Sequence, residues 1–197
     1  MSAPFAPPLL LASTSPQRRA ILEQLRLPFD VVRPRYEERG AEDEPAAELV
    51  REHALGKARS VADDAAERPV VGVDTIVHRG GRVFGKPRTA EEAAETLAAL
   101  SGGVHDVVSG IALVTPGWQL VEHDVTRVRF RLLTARDVAG YVAAGEWEGR
   151  AGAYAIQGFG AALVERIEGD YLNVVGLPAA VLVRVLAERF AGTYGFG

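Results

Sequence analysis

The stretch Leu9-Leu10-Leu11-Ala12-Ser13-Thr14-Ser15-Pro16-Gln17-Arg18-Arg19 decides how the chain begins to fold. Its apolar residues 9–12 predict a short buried strand. Ser15 can cap a helix and Pro16 suits the first helical position, so the backbone is expected to change from strand to helix at this point. Apolar residues then recur at helical spacing over 17–25, which predicts the first helix.

The rest of the chain alternates between strand and helix patterns. Strands are predicted at residues 29–32, 70–73, 76–83, 104–114, 120–132 and 163–167, and helices at 45–62, 89–100, 134–144 and from Pro178 onward. We expect the segment 76–83 to form a hairpin that turns at Gly80-Gly81. This alternation, with one antiparallel portion in the middle, predicts a mixed α/β sheet rather than a purely parallel one.

Composition limits both the architecture and the class of function. With 197 residues, 48% of them apolar, the chain can bury a substantial core, so we expect a single domain over 1–197 made of two intimate lobes, with a loose tail at 191–197. The absence of cysteine excludes disulfides, thiolate metal sites and cysteine nucleophiles, and it favours the cytoplasm. No run of about 18 apolar residues occurs, so neither membrane insertion nor export is expected.

The net charge of −4 comes from 22 basic and 26 acidic residues, and the basic residues are scattered. Such a distribution disfavours stable binding to duplex nucleic acid. A small anion held by a few local cations is compatible with it.

The strand-to-helix turn is the first candidate binding site. Hydroxyl groups such as that of Ser13, the free amides of a helix N-terminus and the guanidinium groups of Arg18 and Arg19 are the donors that phosphate oxygens require. Cations in the first turn of a helix oppose its dipole, which is reasonable if they face an anion. The alternative is an ordinary helix cap followed by solvated arginines.

Asp74 is the second candidate, because it follows the apolar run 70–73. An ionised carboxylate beside a buried strand must be paired, bound to a metal ion or shifted in pKa. Glu38, Lys57 and Lys86 add one acid and two cations, although each alone is typical of a solvated charge. The four histidines do not form a zinc pattern such as H-E-x-x-H, so oxygen ligands and Mg²⁺ are favoured.

Seven short segments, in this order, resemble the marks of the Maf family of nucleotide pyrophosphatases. They are ASTSPQR at 12–18, EE at 37–38, VDT at 73–75, GKP at 85–87, SGGVH at 101–105, RAGAYAIQG at 150–158 and GDYLNVVGLP at 169–178. The resemblance covers nearly the whole chain. It implies a Maf/inosine-triphosphatase-like α/β fold, with a curved mixed sheet flanked by helices and a nucleotide cleft between two lobes, commonly in a homodimer.

The resemblance also implies an activity and its residues. The reaction would be hydrolysis of a nucleoside triphosphate to the monophosphate and pyrophosphate, with Asp74 as the catalytic carboxylate. Positions expected around the triphosphate and metal ion are Ser13, Arg18, Glu38, Lys57 and Lys86. Mg²⁺, or another divalent cation such as Mn²⁺, would be held by Glu38 and Asp74. The side chains of Arg18, Lys57 and Lys86 would offset phosphate charge. Whether Asp74 acts as a general base or as a metal ligand is left open by the sequence.

Thr75 and Gln157 match family positions linked to the choice of base, and both resemble the branch acting on dTTP and UTP. Gln17 departs from that branch, which usually has Arg there. Arg150 replaces a frequent Lys and Val73 a frequent Ala, changes that keep charge and apolar character respectively. We therefore expect dTTP/UTP or broader specificity.

Three other functions are weighed against this one. A nucleotide-sensing regulator of septation without catalysis would use the same cleft, since the family also implies a link to cell division. A phosphatase that releases inorganic phosphate would need many of the same cations. Sequence-specific DNA binding is the weakest alternative, because the chain is acidic and has no recognisable DNA-binding motif.

Overall fold

The computed structural model describes residues 6–38 and 44–197 of the chain. This part contains a mixed sheet of seven strands flanked by helices. The strands are β1 (Leu9–Ala12), β2 (Phe29–Val32), β3 (Val70–Arg79), β4 (Arg82–Phe84), β5 (Val104–Thr115), β6 (Trp118–Phe130) and β7 (Val164–Glu168). The α-helices are α1 (Pro16–Gln24), α2 (Ala46–Arg59), α3 (Ala90–Leu100), α4 (Ala135–Ala143), α5 (Tyr171–Val175) and α6 (Ala179–Phe190).

The strand order in the sheet is β2-β1-β3-β5-β6-β7, with β4 paired to β3. Strand β1 runs parallel to both of its neighbours, β2 and β3. The β3–β4 and β6–β7 pairs are antiparallel. The expected mixed sheet is therefore confirmed.

The main correction to the predicted elements concerns β3. The sequence pattern predicts a strand over 70–73 that ends in Asp74-Thr75 and a separate hairpin over 76–83, whereas β3 runs without a break from Val70 to Arg79. Its start pairs with β1 and its end pairs with β4, so its two ends have different partners. The hairpin turn at Gly80-Gly81 is present, and both glycines have positive φ. Asp74 consequently lies in the middle of a continuous strand.

The chain divides into two compact units. The first comprises the residues up to Asp74, together with Ser109–Asp124 and Gly176–Gly197; the second comprises Thr75–Val108 and Val125–Val175. In the first unit, α2 packs on the sheet through small and β-branched side chains. The buried members of this cluster are Leu10, Ala12, Ala54, Ala58, Val61, Ala65, Val70 and Ala112. Small side chains on both surfaces allow a short distance between helix and sheet.

Two glycines bring α2 directly against the strands. A Cβ atom built on Gly72 of β3 would lie 2.1 Å from the Ala54 carbonyl oxygen, and one built on Gly110 of β5 would lie 2.1 Å from the Val50 carbonyl oxygen. Both oxygens belong to the main chain of α2, so no side-chain rotation can make room. The position of this helix is thus set by the absence of two side chains, and the same helix carries Lys57.

The second unit has its own apolar core, built around aromatic side chains. Tyr141 of α4 and Phe130 of β6 are fully buried. His105 of β5 is also buried, with its ring edge-on to those of Phe130 and Tyr154. Its Nε2 atom lies 2.9 Å from the Tyr154 hydroxyl oxygen. The histidine of the SGGVH segment is therefore a core residue of this unit.

His105 makes the stability of the protein depend on pH. Burial, and secondly the positive charge of Arg79, lowers the pKa of His105 from 6.5 to about 4. Between pH 6.5 and pH 4, His105 is protonated in the unfolded chain but neutral in the folded protein. The free energy of unfolding therefore falls as the pH is lowered through this range. We expect His105 to remove about 2 kcal/mol from the free energy of unfolding between pH 7 and pH 5.

Urea titrations at both pH values would measure this loss in the wild type, in His105→Gln and in His123→Gln. His123 is exposed on β6 and serves as the control, and the carboxylates contribute equally to all three proteins. The loss between pH 7 and pH 5 should be smaller in His105→Gln than in the other two. An equal loss in all three would contradict the prediction.

The C-terminal residues 191–197, expected to form a loose tail, belong to the first unit and include the buried Tyr194. Tyr194 is buried, donates a hydrogen bond to the Pro7 carbonyl oxygen at 2.9 Å, and packs edge-on to Phe190. The expected two-lobed arrangement with a nucleotide cleft stays a prediction. Over residues 6–38 and 44–197, no helix is both long and apolar enough to span a membrane.

Candidate active site

The strand-to-helix turn is organised by short-range hydrogen bonds, as the sequence predicts. Ser15 caps α1 by accepting from the Arg18 amide, and Pro16 is the first residue of the helix. The Ser13 hydroxyl oxygen, which is buried, accepts from the Ser15 amide and from Arg18 Nη1, both at 3.2 Å. Arg18 also donates from Nε to the Gly176 carbonyl oxygen at 2.9 Å. The guanidinium is therefore folded back toward Ser13 instead of extending into solvent.

A second group of predicted residues meets where α2 faces β3. Lys57 Nζ lies 2.6 Å from Asp74 Oδ1 and 2.6 Å from Glu38 Oε1, and 3.4 Å from the Val73 carbonyl oxygen. Lys57 and Asp74 are only 6% and 5% exposed, whereas Glu38 lies at the surface. One ammonium group thus links two carboxylates, of which only one is buried.

The electrostatics of this cluster keep Asp74 ionised. Burial raises the pKa of Asp74, but hydrogen bonding from His53, the charge and hydrogen bond of Lys57 and the charge of Arg18 together lower it well below its ordinary value. Burial lowers the pKa of Arg18, and the charges of Asp74 and Glu38 oppose that shift. Arg18 is therefore electrostatically coupled to both carboxylates, and Asp74 is ionised at neutral pH.

His53 is a member of the cluster that the sequence analysis does not select. It is buried on α2, and its Nδ1 atom lies 3.3 Å from Asp74 Oδ2. Its ring is edge-on to that of Tyr36. A signal was available, because His53 precedes Lys57 by one helical turn on a face that also carries the buried Ala54. A histidine on such a face is more often a core residue, so the spacing alone does not identify it.

Three of these residues could hold a metal ion. Glu38, His53 and Asp74 each offer a ligand atom, and these atoms all lie within 4.8 Å of one another. Carboxylate oxygens are the usual protein ligands of Mg²⁺, and an imidazole nitrogen is a good ligand for Mn²⁺ and other transition metals. Lys57 contacts one oxygen of Glu38, and the two oxygens of Asp74 contact Lys57 and His53. Each carboxylate oxygen has more than one lone pair, so both carboxylates can still accept a further ligand. The donor set therefore fits a divalent cation.

The remaining predicted residues, Thr75, Lys86 and Gln157, belong to the second unit. Thr75 directly follows Asp74 on β3 and is partly exposed, while Lys86 and Gln157 are exposed. Within this unit, the loop that carries Lys86 is joined to the glycine-rich segment, since the Gly152 amide donates to the Gly85 carbonyl oxygen at 3.1 Å. The roles of the three residues stay predictions.

The turn after Gln157 is fixed by a carboxylate. Glu146 accepts from the main-chain amides of Phe159 and Gly160, at 3.0 Å and 3.1 Å. A Cβ atom on Gly158, whose φ is +62°, would lie 2.7 Å from Glu146 Oε1. This part of the RAGAYAIQG segment therefore needs glycine for its backbone conformation and for the approach of the carboxylate.

The GDYLNVVGLP segment contains a structural residue. Asn173 is completely buried and donates from Nδ2 to the Val107 carbonyl oxygen at 3.1 Å and to Thr126 Oγ1 at 3.0 Å. Thr126 Oγ1 in turn donates to the Asp170 carbonyl oxygen. These bonds join α5 to β5 and β6 within the second unit, which explains a polar side chain at a buried position.

Comparison with known proteins places the chain in a family. The family model described as Maf-like protein matches residues 8–189. A protein of Gloeobacter violaceus named dTTP/UTP pyrophosphatase is 46% identical over 181 residues, which are 91% of this chain and 95% of that protein. The proteins of the same name from Moorella thermoacetica and Symbiobacterium thermophilum are 48% and 45% identical, each over 91% of this chain and 93% of their own length.

Among solved structures, the Ham1 protein of Staphylococcus aureus aligns with 62% of this chain and 71% of its own, at 16% identity and a TM-score of 0.42. That similarity is too low to support an inference. The match of the family model over most of the chain, and identities well above 30% along nearly the full length of the relatives, are decisive. The chain belongs to the Maf family.

Proposed function

We propose that this protein is a nucleoside triphosphate pyrophosphatase that hydrolyses the bond between the α- and β-phosphates of dTTP and UTP. The products are the nucleoside monophosphate and pyrophosphate. The observation that carries the proposal is the cluster in which Lys57 links Glu38 to the buried Asp74. Arg18 is electrostatically coupled to the same acids. Family membership and the names of the relatives support the same activity.

The strand-to-helix turn serves to bind phosphate in this proposal. Ser13 and Arg18 are already joined by a hydrogen bond, so both donors are preorganised before substrate arrives. The N-terminal amides of α1 add partial positive charge beside them. A polyanion is therefore the class of substrate that this turn suits.

Glu38 and Asp74 hold the divalent cation, which we propose is Mg²⁺ or Mn²⁺. When bound, such a cation neutralises charge on phosphate oxygens and polarises the phosphorus that is attacked. Asp74 acts as a ligand rather than as a proton acceptor, because a carboxylate with a depressed pKa is a weak base. Lys57 holds the two carboxylates in place and offsets the charge of the substrate.

The preference for thymine and uracil nucleotides rests on Thr75 and Gln157, which match the family positions linked to base choice, and on the names of the relatives. Gln17 lies in the first turn of α1, where Ser15 donates to its side-chain oxygen at 3.2 Å. We propose that this neutral residue broadens the range of accepted bases.

We further propose that the protein acts in the cytoplasm as a homodimer. A chain without cysteine is suited to a reducing compartment. The dimer and a link to cell division are implied by the family resemblance alone. Size-exclusion chromatography with light scattering would measure the mass of the particle.

The proposed activity is tested by a product-resolved assay with dTTP, UTP, CTP, the purine triphosphates and methylated GTP, with and without Mg²⁺. We expect equimolar monophosphate and pyrophosphate from dTTP and UTP, and no reaction after the metal is removed with EDTA. Release of inorganic phosphate with a nucleoside diphosphate would identify a phosphatase instead. Binding of nucleotide without turnover of any substrate would favour the sensor function.

A further inference from the structure

We propose that His53 is a positioning residue for Asp74: it holds Oδ2 of the carboxylate while Lys57 holds Oδ1. The inference rests on the proposed function in one respect, namely that Asp74 is the carboxylate on which turnover depends. It goes beyond that function by assigning a role to a residue that no sequence motif selects.

The geometry of α2 allows His53 and Lys57 to contact one oxygen each of the Asp74 carboxylate. His53 and Lys57 are four positions apart on this helix, so their side chains leave the same face one turn apart. That face lies against β3 at the close approach of Gly72, two residues before Asp74 on the strand. One helix therefore reaches both oxygens of a carboxylate on the adjacent strand.

The chemistry of the contact defines which nitrogen carries hydrogen. A carboxylate oxygen accepts hydrogen bonds, so in the contact of 3.3 Å between His53 Nδ1 and Asp74 Oδ2 the nitrogen is the donor. His53 Nε2 is buried and, among the described residues, makes no hydrogen bond. A buried ring with one unsatisfied nitrogen is costly compared with an apolar side chain at the same position. The contact with Asp74 is the interaction that justifies a histidine at this position.

The second contact matters because a carboxylate held by one oxygen can rotate about its Cβ–Cγ bond. Lys57 alone fixes Oδ1, and Lys57 is itself shared with Glu38. A second donor on Oδ2 fixes the plane of the group and so directs its remaining lone pairs. Residues that orient a metal-binding carboxylate in this way commonly contribute 10- to 100-fold, roughly, to activity or metal affinity.

Three substitutions separate the positioning role from others. His53→Asn keeps an N–H donor close to the position of Nδ1, His53→Gln keeps a polar group close to that of Nε2, and His53→Leu removes both. We expect His53→Leu and His53→Gln to lower kcat for dTTP about 10- to 100-fold, with KM changed by less than about 2-fold. His53→Asn should recover most of the wild-type kcat. His123→Asn, on an exposed strand position, is the matched control and should behave as wild type.

Two further measurements do not depend on turnover. Nitrogen-15 NMR of the metal-free wild type should show His53 with hydrogen on Nδ1, and assignment is simple because the chain has four histidines. Titration with Mn²⁺, followed by electron paramagnetic resonance, should show weaker binding to His53→Leu than to His53→Asn. Urea unfolding midpoints of all variants would show whether each is folded under assay conditions.

The inference is overturned by any of three results. The first is wild-type kcat in a folded His53→Leu. The second is rescue by Gln but not by Asn. The third is nitrogen hyperfine coupling from His53 to bound Mn²⁺, which would make the imidazole a direct metal ligand. If the wild type releases no pyrophosphate from any nucleotide, the proposed function fails, whereas the NMR and Mn²⁺ measurements still decide whether His53 positions Asp74.

Discussion

Replacing Asp74 with asparagine is expected to lower kcat for dTTP hydrolysis by about 1,000-fold. The carboxamide has the same size but no charge, so the proposed divalent cation would lose a ligand and Lys57 loses one of its two counter-ions. The substitution also introduces an N–H group where both side-chain oxygens accept from cations or N–H donors. Only one of Lys57 and His53 can keep an acceptor, so the cluster loses its order as well as its charge.

Rates of pyrophosphate release from dTTP, measured with Mg²⁺ over a range of concentrations, would check this prediction. Asp63→Asn is a suitable control, because Asp63 is an exposed carboxylate in the same unit. The far-ultraviolet circular dichroism spectrum of Asp74→Asn should match that of the wild type. Near-normal turnover by a folded Asp74→Asn would contradict both the ligand and the general-base role of this residue.

The second large effect is expected from Gly72→Ala. The new methyl group would lie 2.1 Å from the Ala54 carbonyl oxygen and 2.9 Å from the Ala58 side chain, so α2 must move away from β3. Because the obstructing atoms include main chain in a packed core, we expect a loss of about 3 kcal/mol in the free energy of unfolding. The protein that remains folded should also be less active, because the displaced helix carries Lys57.

Gly140→Ala is the control: it makes the same chemical change but is expected to raise the free energy of unfolding. Gly140 lies inside α4, is exposed, and has no neighbouring atom within 4 Å of an added Cβ. Alanine is the better helix former, so this variant should gain about 0.5–1 kcal/mol. Urea unfolding of both variants at one pH would measure the two changes. Equal stability of Gly72→Ala and the wild type would mean that α2 does not need the close approach.

Helix starts were predictable because their signals are local. Ser15, Thr89 and Thr134 each accept a hydrogen bond from an amide three residues later, as expected of residues placed before a helical pattern. The continuation of the strand past Asp74-Thr75 into the following hairpin was not predictable. A carboxylate interrupts an apolar pattern, yet β3 continues because its neighbours supply pairing on both sides of that residue.

The candidate site also combines residues that the sequence predicted with one that it did not. Ser13, Arg18, Glu38, Lys57 and Asp74 were selected from motifs, and the structure joins them by hydrogen bonds, ion pairs and the coupling of Arg18 to both acids. The roles of Thr75, Lys86 and Gln157 are still predictions, to be decided by the substrate panel. His53 was not predicted, because nothing in its local sequence distinguishes a histidine that contacts a carboxylate from one that packs in a core.

The sequence by itself determined the order of strands and helices apart from α5 and the unbroken β3. It also determined the capped turn at Ser15 and the residue types that phosphate and a divalent cation require. These follow from interactions within a few residues and from apolar periodicity. Only the tertiary structure decided that Lys57, 17 positions before Asp74, would share one ammonium between two acids, with His53 on the opposite oxygen. Those contacts depend on how closely α2 approaches β3, and that distance is set by Gly72. A single glycine in a strand pattern does not reveal which helix will pack against it.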